Sequence, residues 1–124
     1  MVTEPEFVPR PHRKSDYRIK LISGQAQKGW RDLRATALNA ATKAWHHLTE
    51  TPTDQSDICY PLKDKFEFLT FEGIKYQRWQ YKPTDGGRIW YAVIPATRNP
   101  EKVGIIAVER VHTGHPNETV KNFR

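Results

Sequence analysis

The sequence predicts an α+β domain: an N-terminal strand, a helical stretch or hairpin, then a three-stranded antiparallel run forming a small sheet with helices on one face. Three observations carry this prediction. Residues 17–22 alternate apolar and basic side chains, residues 25–48 switch to a helical period, and the second half holds three strand-like segments separated by turn chemistry. At 124 residues the chain is the size of one domain.

Residues 1–16 hold Pro5, Pro9 and Pro11 and almost no apolar period, so they read as a flexible extension or a strap on the domain surface. Tyr17, Ile19 and Leu21 alternate with Arg18, Lys20 and Ile22, a short first strand closed by Ser23-Gly24. From there Ala26, Trp30, Leu33, Ala37, Ala41, Ala44 and Leu48 recur at steps of three or four. That stripe is a packing face, carried by one long helix or by a hairpin broken near residues 33–36, and Thr51-Pro52 ends it.

Residues 52–73 look irregular and acidic, with a short extended piece around 66–71. Segments 73–82, 88–95 and 103–111 then read as strands. The run Pro83-Thr84-Asp85-Gly86-Gly87 separates the first pair, and a turn containing Asn99-Pro100 separates the second. The domain runs over 17–116, leaving 117–124 as a polar tail.

Composition narrows the function classes. Four Trp, five Tyr and five Phe argue against a disordered chain, while a mean hydropathy of −0.77 argues for a soluble one. The longest apolar run, residues 89–95, is far short of the roughly 20 residues a membrane helix needs, so no membrane partner is expected. The N-terminus shows acids and prolines where a signal peptide needs an apolar run, and the single Cys59 fits a reducing compartment, so a cytoplasmic location is expected.

The net charge is +6, and it is concentrated. Residues 17–51 carry six basic against two acidic side chains, residues 74–124 nine against four, and residues 52–73 only two against five. Such clustering favours an anionic macromolecule as partner over mere solubility.

Strand alternation assigns faces. Tyr76, Arg78, Gln80 and Lys82 share one face, as do Arg88, Trp90 and Ala92. Ile106, Val108, Arg110 and His112 share a face of the last segment. If helices cover one side, the other gathers Arg78, Lys82, Arg88, Arg110 and His112, with His115 just past the rim and Lys75 at the start of the run. Cations interleaved with aromatics suit a phosphodiester backbone and stacked bases, and the same charges on an edge also serve to discourage strand pairing. Trp90 suits base stacking and core packing equally. Tyr91 reads as a packed residue, and His46 and His47 as surface or partly packed. His112 and His115 with Cys59 lack the further ligand a zinc site needs, so neither metal nor cofactor is expected.

The order of these motifs resembles a known family. Leu48-Thr49-Glu50-Thr51-Pro52, then Leu62-Lys63, then Arg88-Ile89-Trp90-Tyr91-Ala92-Val93, then the segment from Ile105 to Arg110, are similar to the pattern of RelE/ParE superfamily toxins of type II toxin–antitoxin systems. The resemblance covers roughly residues 17–116. It implies a RelE/ParE-like fold of strand, helical hairpin and three-stranded antiparallel run. It also implies an endoribonuclease (an mRNA interferase) that cleaves mRNA on the concave sheet face, in some members at the ribosome, with a cognate antitoxin protein as partner.

Carried over by position, the resemblance puts Arg88 on the strand arginine and Arg110 on the arginine that closes the last strand. Arg78 and Lys82 fall in the strand of the family's basic cluster. No tyrosine follows Arg110, so His115 first and His112 second are the expected proton-transfer groups. Read from the residues themselves, Arg78, Trp90 and Lys75 are the expected RNA-binding side chains. The family also holds ParE-like members that inhibit DNA gyrase without cleavage chemistry, and a small basic RNA-binding module is a third reading.

Overall fold

A computed structural model of the chain describes residues 4–98 and 100–114. Strand β1 (Arg18–Leu21) leads into helix α1 (Gly24–Thr36). Ser23 starts that helix: its Oγ accepts from the Ala26 N–H at 2.9 Å, a contact worth about 1 kcal/mol at a helix end whose first donors lack partners. The helical stretch is a hairpin. Helix α2 (Leu38–Glu50) follows after Ala37 alone, one residue beyond the expected window. Ala37 leaves helical geometry while its N–H still closes on the Leu33 carbonyl, so the break falls where the backbone can be satisfied without a side-chain cap.

The remaining elements are strand β2 (Cys59–Pro61), a 3₁₀ turn at Asp64–Phe66, and strands β3 (Phe68–Phe71), β4 (Ile74–Gln77), β5 (Trp79–Tyr81), β6 (Arg88–Ile94) and β7 (Ile105–His112). The main sheet has five strands in the order β1-β7-β6-β5-β2, with β1 parallel to β7 and the other pairs antiparallel. Strands β3 and β4 form a separate two-stranded sheet.

Three expectations need correction. Strand β2 lies in the stretch read as irregular, because three residues are too few to show a period of two. The segment 73–82 is two strands in different sheets. At the junction, the Arg78 N–H is taken by the Glu67 carbonyl at 2.7 Å and its own carbonyl by the Leu62 N–H at 2.8 Å, so the β4 half peels away to pair with β3. Last, the faces of β7 are not continuous. Trp90 pairs with Arg110 but Tyr91 with Val108, which leaves Glu109 as the extra residue of a bulge. The bulge shifts the alternation, so Ile106 and Val108 face the helices while Arg110 and His112 face away.

One core lies between helices and sheet. Ala26, Leu33, Ala41, Ala44 and Leu48 pack against Tyr81, Ile89, Tyr91, Ile106, Val108 and Val111. Helix α1 comes so close to β7 that a Cβ on Gly29 would stand 1.9 Å from the Val111 carbonyl oxygen; only glycine permits that approach. A second core lies on the far face, where Leu69, Phe71 and Tyr76 of the β3–β4 hairpin cover Ala92, Ile94, Ile105 and Ala107. The face expected to be open is therefore half roofed.

Residues 4–16 form no helix or strand. Arg10 lies 5.5 Å from the Trp45 ring and its Nη1 is 3.1 Å from His46 Nε2, while the His12 and Trp45 rings are 5.7 Å apart. Among the described residues no helix is long and apolar enough to cross a membrane.

Candidate nucleic-acid interface

The unroofed half of the sheet is built from cross-strand pairs. Arg88 stands opposite His112, Trp90 opposite Arg110, Gln80 opposite Trp90, and Tyr60 opposite Gln80, all on the face turned from the helices. Directly opposed residues have Cα atoms about 5 Å apart, and same-face neighbours along a strand are about 7 Å apart. Arg88, Arg110 and His112 thus converge on one corner because of the pairing register and the bulge at Glu109.

Arg88 is half-buried and braced. Its Nη1 donates to the Asp85 and Gly87 carbonyls at 2.9 and 2.6 Å, clamping the turn that precedes β6. Among the described residues nothing bonds its Nε and Nη2, so one edge of the guanidinium remains to receive an anion. Arg110 is also half-buried. His112 is only 2% exposed, and its Nδ1 accepts from the Gly114 N–H at 3.1 Å, which leaves Nε2 as the nitrogen that carries the ring proton.

Gly114, with φ +79°, lies against the same turn; a Cβ there would come within 2.5 Å of the Gly86 backbone. The chain therefore leaves β7 beside the Arg88 corner. His115, the next residue, lies outside the described residues.

The other cations sit differently. The Arg78 guanidinium donates to both carboxylate oxygens of Glu109, each at 3.0 Å, and to the Phe66 carbonyl at 3.0 Å. It lies 5.0 Å from the Trp90 ring centre. Phe66 adds a second lid, 5.5 Å from Trp90, which is 3% exposed. Trp90 is thus a floor beneath Arg78 and Phe66, not an open stacking surface, and the Glu109 carboxylate offsets the Arg78 charge locally. The Lys82 ammonium lies 5.3 Å from the Tyr60 ring and borders a cleft of about 410 Å³ shared with Asp57 and Asp85. Lys75 belongs to the β3–β4 hairpin, exposed and 5.8 Å from the Phe68 ring, outside the row that holds Arg88.

Tyr60 is the residue the sequence reading passed over. It was hidden in the three-residue β2, whose pairing with β5 is a tertiary event without a local pattern. Gln80 Nε2 donates to the Tyr60 hydroxyl at 2.8 Å, and the Trp90 indole N–H donates to Gln80 Oε1 at 2.8 Å. Glu109 was equally hidden as the partner of Arg78, because the pairing spans 31 residues of chain.

Beneath the sheet, on the helix side, lies a second polar group. His47 Nε2 is 3.1 Å from Cys59 Sγ, Cys59 is 3.3 Å from the Tyr91 hydroxyl, and that hydroxyl donates to the Pro52 carbonyl at 2.6 Å. Desolvation lowers the His47 pKa against a smaller opposing pull from Asp54. Burial pushes the Cys59 thiol and the Tyr91 phenol up, so both stay protonated at neutral pH. Cys59 and His112 face opposite sides of the sheet, which removes the pairing a shared metal site would need.

A cleft of about 390 Å³ lies elsewhere, on the outer face of the helices, lined by Arg10, Trp30, Arg34, Leu38, Trp45 and His46 among others. It is remote from the row of cations on the sheet. Compared with known proteins, the chain matches no family model, no curated protein and no solved structure.

Proposed function

We propose that this chain is the toxin of a type II toxin–antitoxin system and acts as a metal-independent endoribonuclease on mRNA. The observation that carries the reading is the corner where Arg88 faces His112 and Arg110 stands one same-face step away, on a sheet face bearing aromatic side chains. The motif resemblance in sequence and the strand, helical hairpin and antiparallel strands of the fold point the same way.

The chemistry follows from what cleavage by 2′-hydroxyl attack requires. A base must take the 2′-hydroxyl proton, an acid must protonate the leaving 5′-oxygen, and cations must hold the phosphate as its charge grows. Arg88 and Arg110 hold the phosphate through fixed guanidinium donors, and Lys82 supports them as a mobile point charge. His115, which follows Gly114 in sequence, is the first proton-transfer group, and His112 is the second. Imidazole suits either role near neutral pH. The partners are mRNA, presented free or on the ribosome, and an acidic antitoxin that covers the basic face.

Three incubations test the reading: purified protein with naked mRNA, with translating ribosomes, and with gyrase plus supercoiled DNA. RNA scission in either of the first two, with gyrase unaffected, is the expected result. Gyrase inhibition without RNA scission would establish the ParE-like alternative, and RNA binding without scission would leave a binding module.

A further inference from the structure

The row from Trp90 to Tyr60 has a fixed direction. An indole N–H can only donate, so the Gln80 atom facing Trp90 must be the carbonyl oxygen. The other end of that amide is then NH₂, which can only donate, and the Tyr60 oxygen must accept from it. Gln80 is 8% exposed and Trp90 3%, so packing holds both in place. The Tyr60 hydroxyl proton consequently cannot point back along the row. Among the described residues nothing accepts it, while Tyr60 is half-buried at the sheet surface with the Lys82 ammonium near its ring.

We propose that Tyr60 is a further substrate-binding residue, whose outward-directed hydroxyl donates a hydrogen bond to the phosphodiester of an RNA strand laid across this face. The proposal rests on the endoribonuclease reading and adds to it a neutral donor on the edge strand. A phosphate is the ligand because a hydroxyl whose proton is left to donate, with an ammonium over its ring and in the same row as Arg110, matches an acceptor-only anion. The donor is pre-aimed by two buried side chains, so it needs no reorganisation as charge builds on the phosphoryl oxygens, and its effect falls mainly on the rate.

The test uses the full chain, a short labelled RNA for single-turnover cleavage, and the same RNA with a 2′-deoxy residue at the cleavage site for affinity. Tyr60→Phe removes only the hydroxyl and should lower the cleavage rate about 10- to 100-fold, with affinity for the deoxy strand changed less than about threefold. Gln80→Glu keeps the shape but offers Tyr60 an acceptor, turning its proton inward. The double variant Tyr60→Phe/Gln80→Glu should then be no slower than Gln80→Glu alone, whereas independent effects would multiply. Tyr60→Phe cleaving at the wild-type rate, or multiplying with Gln80→Glu, overturns the role of Tyr60 while leaving the endoribonuclease reading intact. A wild-type protein that leaves RNA uncut in both free and ribosome-bound form overturns both.

Discussion

Arg78 and Glu109 form a two-pronged ion pair above the Trp90 ring, with both N–H···O contacts at 3.0 Å. The pair joins the β4–β5 junction to the bulge of β7, and the bulge is also what turns Arg110 and His112 away from the helices. One acidic residue thus braces the sheet face and neutralises a cation on it.

Glu109→Gln should therefore separate stability from binding. The side chains are 12% and 28% exposed, so losing the charged partner should cost about 1–3 kcal/mol in urea unfolding. The released Arg78 charge should raise RNA affinity and steepen its salt dependence by up to about one ion. Weaker RNA binding in Glu109→Gln would show that the pair itself shapes the surface.

Arg88→Ala should lower cleavage about 10²–10³-fold while circular dichroism shows a native fold. Some stability is lost as well, about 1–2 kcal/mol, because Nη1 braces the Asp85 and Gly87 carbonyls. An unfolded Arg88→Ala protein would make the residue structural and move the site elsewhere.

The histidine roles are separable by pH. His115→Gln should keep RNA affinity, lose about 10²–10⁴ in cleavage rate, and lose the wild-type rate change across about pH 5.5–7.5. Products should end in a 2′,3′-cyclic or 3′-phosphate and a 5′-hydroxyl, in the presence of EDTA. If His115→Gln and His112→Gln each cleave at full rate, the proton transfers belong to other groups.

His47 predicts a stability change on the opposite side of the sheet. Its folded-state pKa lies below the ordinary 6.5, so the unfolded chain binds the proton more readily. The contribution is fully present above about pH 6.5 and is lost as pH falls from there through the folded-state value. Urea midpoints measured from pH 8 to pH 5 should fall, and His47→Gln should flatten that part of the profile. An unchanged slope in the variant would assign the acid sensitivity to other groups.

If the proposed function holds, an acidic antitoxin should bind this chain with a strong salt dependence, since the excess positive charge sits in residues 17–51 and 74–124. Isothermal titration at rising ionic strength measures it. A complex indifferent to salt would mean that apolar contacts, such as the cleft between Trp30 and Trp45, dominate instead.

Local periodicity was enough for the α+β class, the first strand, the helical stretch and the strand β6, because each shows its period within a single segment. Alternation placed Arg88 and Trp90 on one face opposite Ile89 and Tyr91, and burial agrees: Ile89 and Tyr91 are both fully buried in the helix-side core. Features that depend on distant pairing came only with the folded chain. The three-residue β2 exists as a strand because β5 supplies its partners, and Tyr60 enters the site only through that register. The hairpin β3–β4 peels off at Arg78 because Glu67 and Leu62 capture its backbone, roofing half the sheet. The bulge at Glu109 reverses the facing of Arg110 and His112 relative to Val108, and an inserted residue leaves no mark in an alternating pattern until the partner strand is known. Local periodicity reports the surface a segment presents; which surface stays open is set by long-range hydrogen bonds that no short window contains.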